Sequence, residues 1–151
     1  MRYRSSLSVA APEEVVFDFV SDAANGLPDH PPGTTVTKEP EGSIGLGTSF
    51  TFERPDGLRY RATLVRFDRP ASLAFENVMD GGTSSTACWS FNKSGSDTIA
   101  TVETDSTFVG PGWLRPLSGI LTIAGWPLLL LATRRLEKRY AARMARALTN
   151  A

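Results

Sequence analysis

Apolar and polar side chains alternate loosely from Tyr3 to Val9, a period of two that reads as a first strand. The period then changes. In AAPEEVVFDFVSD the apolar residues Val16, Phe17, Phe19 and Val20 gather on one side of a helix. Pro12 suits its first position, where a backbone donor is unpaired anyway, and Glu13 and Glu14 in its first turn suit its positive end. Asp22 to Pro32 predicts a second short helix or loop, closed by prolines. From Thr34 onward every signal is strand and turn. Strands are expected at Thr34–Glu39, Thr48–Arg54, Leu58–Asp68, Ser72–Met79, Ser84–Asn92 and Thr98–Val109. Between them stand Ser43–Gly47, Pro55-Asp56-Gly57, Arg69-Pro70, Asp80-Gly81-Gly82 and Lys93–Asp97, which are turn sequences. Short strands joined this way form an antiparallel meander.

The C-terminal third is patterned differently. Residues 116–133 run eighteen positions without a charge, and the chain then turns basic. Eighteen residues is the lower edge of what crosses a bilayer. Pro127, Gly119 and Gly125 oppose an unbroken spanning helix, so the expectation is a buried lid over residues 113–132 followed by a long packed helix. In that helix Ala132, Leu136, Tyr140, Met144 and Leu148 recur every four residues, and Arg135, Arg139, Arg143 and Arg146 form a basic side read as solvated. Reversible contact with a membrane surface is a further reading, because apolar residues beside a basic helix suit an interface.

Composition narrows the classes. A chain of 151 residues fits one domain, residues 1–151, able to bury a full core. Lys plus Arg and Asp plus Glu both number 16, so net charge gives no reason to expect nucleic acid. The balance is uneven: residues 134–151 carry +5 and residues 1–133 carry −5. A single cysteine, Cys88, excludes an internal disulfide and a cysteine metal site, and one histidine excludes the usual zinc sites. Neither a metal nor a cofactor is expected. The N-terminal MRYRSSLSV lacks an apolar signal core, which fits a cytoplasmic location.

An order of strand, helix pair, six further strands and one long terminal helix leaves a sheet face for that helix to cover. The expected fold class is α+β: a curved antiparallel sheet of six or seven strands wrapped around a long C-terminal helix, with two short helices after the first strand. The chain resembles the START-like (SRPBCC) superfamily, the helix-grip fold, and within it the bacterial polyketide cyclase/dehydrase-like branch. The resemblance is carried by residues 11–22 (APEEVVFDFVSD), Leu27-Pro28, Pro32-Gly33, Gly45-Leu46-Gly47-Thr48, Phe67-Asp68-Arg69-Pro70 with Leu73 and Phe75, and Thr98–Thr104. It covers almost the whole chain in order. It implies a cavity between sheet and terminal helix for a small hydrophobic molecule, with no universal catalytic motif.

Strand parity proposes the residues that would line such a cavity. Phe50 and Phe52 share a face, as do Tyr60 and Leu64. Leu73 and Phe75 pair, as do Trp89 and Phe91, and Val102 falls on one side with Thr104 and Ser106. The same residues equally suit a closed core. Parity alone conflicts on the Leu58–Asp68 strand, where Val65 and Phe67 fall with the arginines, and a bulge would resolve it. His30, the one imidazole, is a candidate general base in a proline-rich loop, with Asp29 beside it read as solvated. Tyr60 is a second candidate, for a proton or for a ligand carbonyl, and Thr104 and Ser106 offer polar contacts. Cys88 lies opposite Trp89 in parity and reads as inert. Three functions stay open: binding of a lipid, polyketide or other aromatic molecule; an aromatase, cyclase or dehydratase acting on a poly-β-carbonyl chain; and a peripheral membrane or partner-binding module using the basic helix. The oligomeric state is not legible.

Overall fold

The computed structural model describes residues 2–80, 82–107, 139–140, 142–144 and 146–147. The chain opens with strand β1 (Arg2–Val9), then helix α1 (Glu13–Ser21) and a 3-10 helix at Ala23–Asp29. Six strands follow: β2 (Thr35–Glu39), β3 (Ser49–Glu53), β4 (Arg59–Asp68), β5 (Ser72–Met79), β6 (Thr83–Ser94) and β7 (Asp97–Thr107). All seven form one antiparallel sheet in the order β1-β7-β6-β5-β4-β3-β2. The meander read from the turns is present, and β1 closes onto β7 with Tyr3 opposite Thr104 and Leu7 opposite Ala100.

The architecture is thus the seven-stranded antiparallel sheet with few helices expected of an α+β helix-grip-like fold. Residues 139, 140, 142–144, 146 and 147 are helical. The full length of the expected terminal helix and the lid expected over residues 113–132 lie outside the described residues, as do Phe108 and Val109.

Helix α1 starts one residue after the position expected: Pro12 is its N-cap, with extended backbone, and Glu13 is its first helical residue. The Pro12 carbonyl accepts from the Val15 and Val16 amides at 3.1 Å, and Pro12 itself needs no partner for a missing N–H. Val16, Phe17 and Val20 are buried against one face of the sheet, while Val15 points outward. The Phe17 ring meets Phe67 edge-on at 5.0 Å and Phe91 at 5.6 Å. Each such aromatic brings a large apolar area and a favoured T-shaped geometry. Two polar contacts fix the helix on the sheet. Thr98, buried on β7, donates to the Ala11 carbonyl at 2.7 Å. Asp18 accepts a two-pronged contact from Arg69 at 3.0 and 2.7 Å, from the turn between β4 and β5.

The β4 parity conflict resolves as a bulge. Leu64 pairs with Phe75, yet Arg66 pairs with Ala74 and Phe67 with Leu73, so one residue is extra between them. Val65 is that residue and is exposed, and Phe67 rejoins the packed face.

The sheet therefore has two unlike faces. The covered face carries Leu7, Val9, Phe50, Leu64, Leu73, Phe91 and Ala100, with α1 and the buried Met144 packed on it. The outer face carries cross-strand polar pairs: Arg4 with Glu103 at 3.3 Å, Arg59 with Glu53 at 3.3 Å, and the Ser6 and Thr101 hydroxyls at 2.8 Å. Cys88 pairs with Ala74 and Glu103 on that outer face.

Candidate ligand-binding site

The covered face is not uniform along the strands. At one end, Phe17, Leu73, Phe91 and Ala100 are sealed. Towards the other end the same face turns polar. Register places Asn77 beside Ala62 and Ser85, Ser85 beside Ser106, and Ala87 beside Thr104. The Asn77 amide approaches the Ser85 hydroxyl at 3.4 Å. Trp89, Val102, Thr104 and Ser106 are all half-buried there.

The β3–β4 hairpin and the 3-10 helix bring the titratable groups to this polar end. In the hairpin, Gly57 takes a φ of 83°, which a side chain would strain, and its amide bonds the Arg54 carbonyl at 3.0 Å. Asp56 accepts from the Leu58 amide at 3.2 Å and holds the Arg54 guanidinium. The turn thereby aims Arg54 and Tyr60 from adjoining strands. The 3-10 helix is capped at its start by Asp22, which accepts from the Ala24 amide at 3.0 Å. At its end the His30 amide bonds the Leu27 carbonyl at 3.0 Å. Pro31 and Pro32 stop the helix and leave His30 facing the sheet.

There the phenol of Tyr60 and Nε2 of His30 lie 2.8 Å apart. Phe52 and Tyr60, paired in register, stack at 4.6 Å with rings 4° from parallel, and the His30 ring rests 5.1 Å from Phe52. Burial pushes the His30 pKa down; the charge of Asp29 opposes this, and those of Arg54 and Arg143 add to it. Burial pushes the Tyr60 pKa far up, against a smaller pull from Arg54. A protonated phenol and a neutral imidazole share one hydrogen bond there, with Tyr60 O–H donating to Nε2 in the Nδ1–H tautomer and Nε2–H donating to the phenol oxygen in the other.

Asp29 is not solvated. It pairs with Arg143 at 2.9 Å, and the two side chains are only 20% and 23% exposed. Arg143 likewise leaves the basic face on which its spacing placed it. Its guanidinium lies 5.2 Å from the Tyr140 ring centre, while Arg139 and Arg146 are exposed. The reason is local: an arginine beside a buried tyrosine gains ring contact and a carboxylate together. Tyr140 in turn touches Phe19 at 6.0 Å and Trp89 at 6.2 Å, and burial raises its pKa far above the usual tyrosine range.

Of the residues that parity proposed, Phe50, Phe52, Leu64, Phe75 and Phe91 are buried on the covered face, where they pack among themselves and α1. Tyr60, Trp89, Val102, Thr104 and Ser106 are half-buried there. His30 and Tyr60, singled out separately, form one pair. Sequence reasoning missed Asn77, Ser85, Asp29, Arg54 and Arg143. Asn77 and Ser85 were findable, since each keeps parity with an inward aromatic, Phe75 and Trp89. Among the described residues no group of histidine, cysteine and carboxylates is placed to hold a metal ion, and no helix is long and apolar enough to cross a membrane.

This arrangement, a covered sheet face with a polar end, can be set beside known proteins. The profile of the family described as polyketide cyclase / dehydrase and lipid transport matches residues 1–149. The chain belongs to that family. Proteins of known structure share its fold at low identity. A conserved protein from Geobacillus kaustophilus is similar with a TM-score of 0.70 at 10% identity, over 99% of this chain and 96% of that one. A polyketide-cyclase-like protein from Corynebacterium glutamicum is similar with a TM-score of 0.64 at 18% identity, over 98% and 91%. An HSP90 activator from Plasmodium falciparum is similar with a TM-score of 0.56 at 15% identity, over 83% and 87%. No curated protein matches the chain in sequence.

Proposed function

We propose that this protein binds a small hydrophobic molecule, a lipid, polyketide or other aromatic, on the covered face of its sheet. The observation that carries the reading is the gradient along that face. Sealed phenylalanines give way to half-buried Trp89, Val102, Thr104 and Ser106, and then to the Tyr60–His30 pair. A ligand laid at that end meets the half-buried apolar side chains of Trp89 and Val102 and the hydrogen-bonding groups of Thr104, Ser106 and the Tyr60–His30 pair. Removing apolar area from water supplies most of the affinity, at roughly 25 cal/mol per Å², and the polar groups orient the guest. The family description, which joins polyketide chemistry with lipid transport, supports the same class of guest. Native mass spectrometry of freshly purified protein tests it. A retained apolar molecule is expected, and its repeated absence across expression hosts counts against the reading.

The Tyr60–His30 contact favours a second reading, a cyclase- or dehydratase-type enzyme. A poly-β-carbonyl chain has acidic methylene protons between its carbonyls. Once a substrate opens the Tyr60–His30 contact, a neutral His30 with a free Nε2 lone pair is a base for such a proton, and the Tyr60 hydroxyl is a donor to the enolate oxygen that develops. His30→Ala then abolishes turnover of a poly-β-carbonyl substrate. Unchanged turnover removes His30 from any chemistry and leaves binding alone.

A further inference from the structure

Arg143 carries five N–H donors on three nitrogens. Nε, Nη1 and Nη2 are all buried, and none makes a hydrogen bond. Nη2 stands 2.9 Å from the Asp29 carboxylate, near enough to pair charges but out of line for a bond through its hydrogens. The charge of Arg143 is met and its donors are not. Arg54 shows the same asymmetry: Asp56 holds its Nη2, while its Nε is buried without an acceptor. Both guanidinium groups act on the His30 imidazole, one from the β3–β4 hairpin and one from the C-terminal helical residues. They flank the same polar end of the covered face.

Buried donors left unmet are costly, and native folds almost always meet them. The acceptor that suits a guanidinium best is a planar pair of oxygens, which takes two of its N–H groups side by side. We infer that Arg143, assisted by Arg54, recognises a planar pair of acceptor oxygens, a carboxylate or a β-dicarbonyl, at the polar end of the bound molecule. This rests on the ligand-binding reading above and adds the chemistry of the head group. The apolar tail then lies towards Trp89, and the head lies between Arg143 and the Tyr60–His30 pair. Asp29 holds Arg143 in place, so that its donors are ready before the guest arrives.

Three probes with matched tails separate the possibilities: dodecanoic acid, a long-chain β-diketone and dodecanol. The wild-type protein binds the acid, the diketone or both about tenfold or more tightly than the alcohol, the size of one charge-assisted hydrogen bond. Which of the two wins identifies the source of the oxygens. Arg143→Met brings the preferred probe down to the affinity that the same variant has for dodecanol, so that the preference collapses to about one. Arg143→Lys keeps charge without the paired donors and falls between. Arg54→Met reduces the preference less, and gives a reading if Arg143→Met fails to fold. Arg4→Met, on the outer face, changes nothing. Equal affinity for all three probes overturns the head-group inference while sparing the binding reading, and so does an undiminished preference in Arg143→Met or Arg143→Lys. Binding of no probe overturns both.

Discussion

The two ends of the covered sheet face differ in what their side chains are left to do. Around Phe17 the rings are packed edge to face with Phe67 and Phe91, and every contact is satisfied within the chain. Around His30 the Phe52 ring is sealed, but His30, Tyr60 and Asp29 are half-buried, and polar atoms meet one another only in part. Tyr60 is matched to His30, yet the donors of Arg143 have no acceptor. The first end holds the sheet and α1 together. The second has donor capacity that the fold itself does not use. Under the proposed function, stability and recognition are separated along one face of one sheet.

The largest test of that separation is at the dry end. Phe17→Ala is expected to cost about 3–5 kcal/mol in chemical unfolding, because a sealed aromatic leaves a cavity that cannot collapse. A loss under about 1 kcal/mol would mean that this end is loosely packed. Next comes the ion pair of the polar end. Asp29→Ala strands the buried charge of Arg143 and is expected to cost about 1–3 kcal/mol, below the range of a fully buried pair because both partners retain some water. The Asp29→Ala/Arg143→Met double variant recovers part of this, which a double-mutant cycle reads directly.

A smaller effect is the pH dependence of stability. The folded state holds the His30 pKa below its ordinary value of about 6.5. The unfolded chain therefore takes up a proton first as pH falls. Stability is full above about pH 6.5 and declines as pH drops through the lowered folded value. Thermal unfolding of His30→Gln should lose this component of the acid dependence; an identical profile in both proteins contradicts the buried, neutral imidazole. The smallest effect is on the outer face. Arg4→Ala breaks an exposed pair with Glu103 and should change stability by less than about 1 kcal/mol, with no effect on ligand binding.

How far each end could be read in advance follows from the range of its interactions. Turns and strand parity are local signals, so all seven strands were legible, and even the β4 bulge showed as a mismatch between Val65, Phe67 and their neighbours. The packed aromatics were legible for the same reason. The polar end was not, because its contacts join distant positions. Tyr60 meets His30 across thirty residues, and Asp29 meets Arg143 from opposite ends of the chain. Arg143 also sits in a helical pattern that assigns it to solvent, and only the proximity of Tyr140 and Asp29 turns it inward. Periodicity shows which face a residue occupies on its own element, but not which distant group waits opposite.

The account depends on an apolar guest lying on the covered face, with its head at the polar end. Backbone amide shifts followed by nuclear magnetic resonance during titration with dodecanoic acid test this most directly. The expected result is movement at Tyr60, Trp89, Val102 and Thr104, with Arg4, Arg61 and Ser90 on the outer face unmoved. Shifts confined to the outer face, or none at saturating probe, would contradict it.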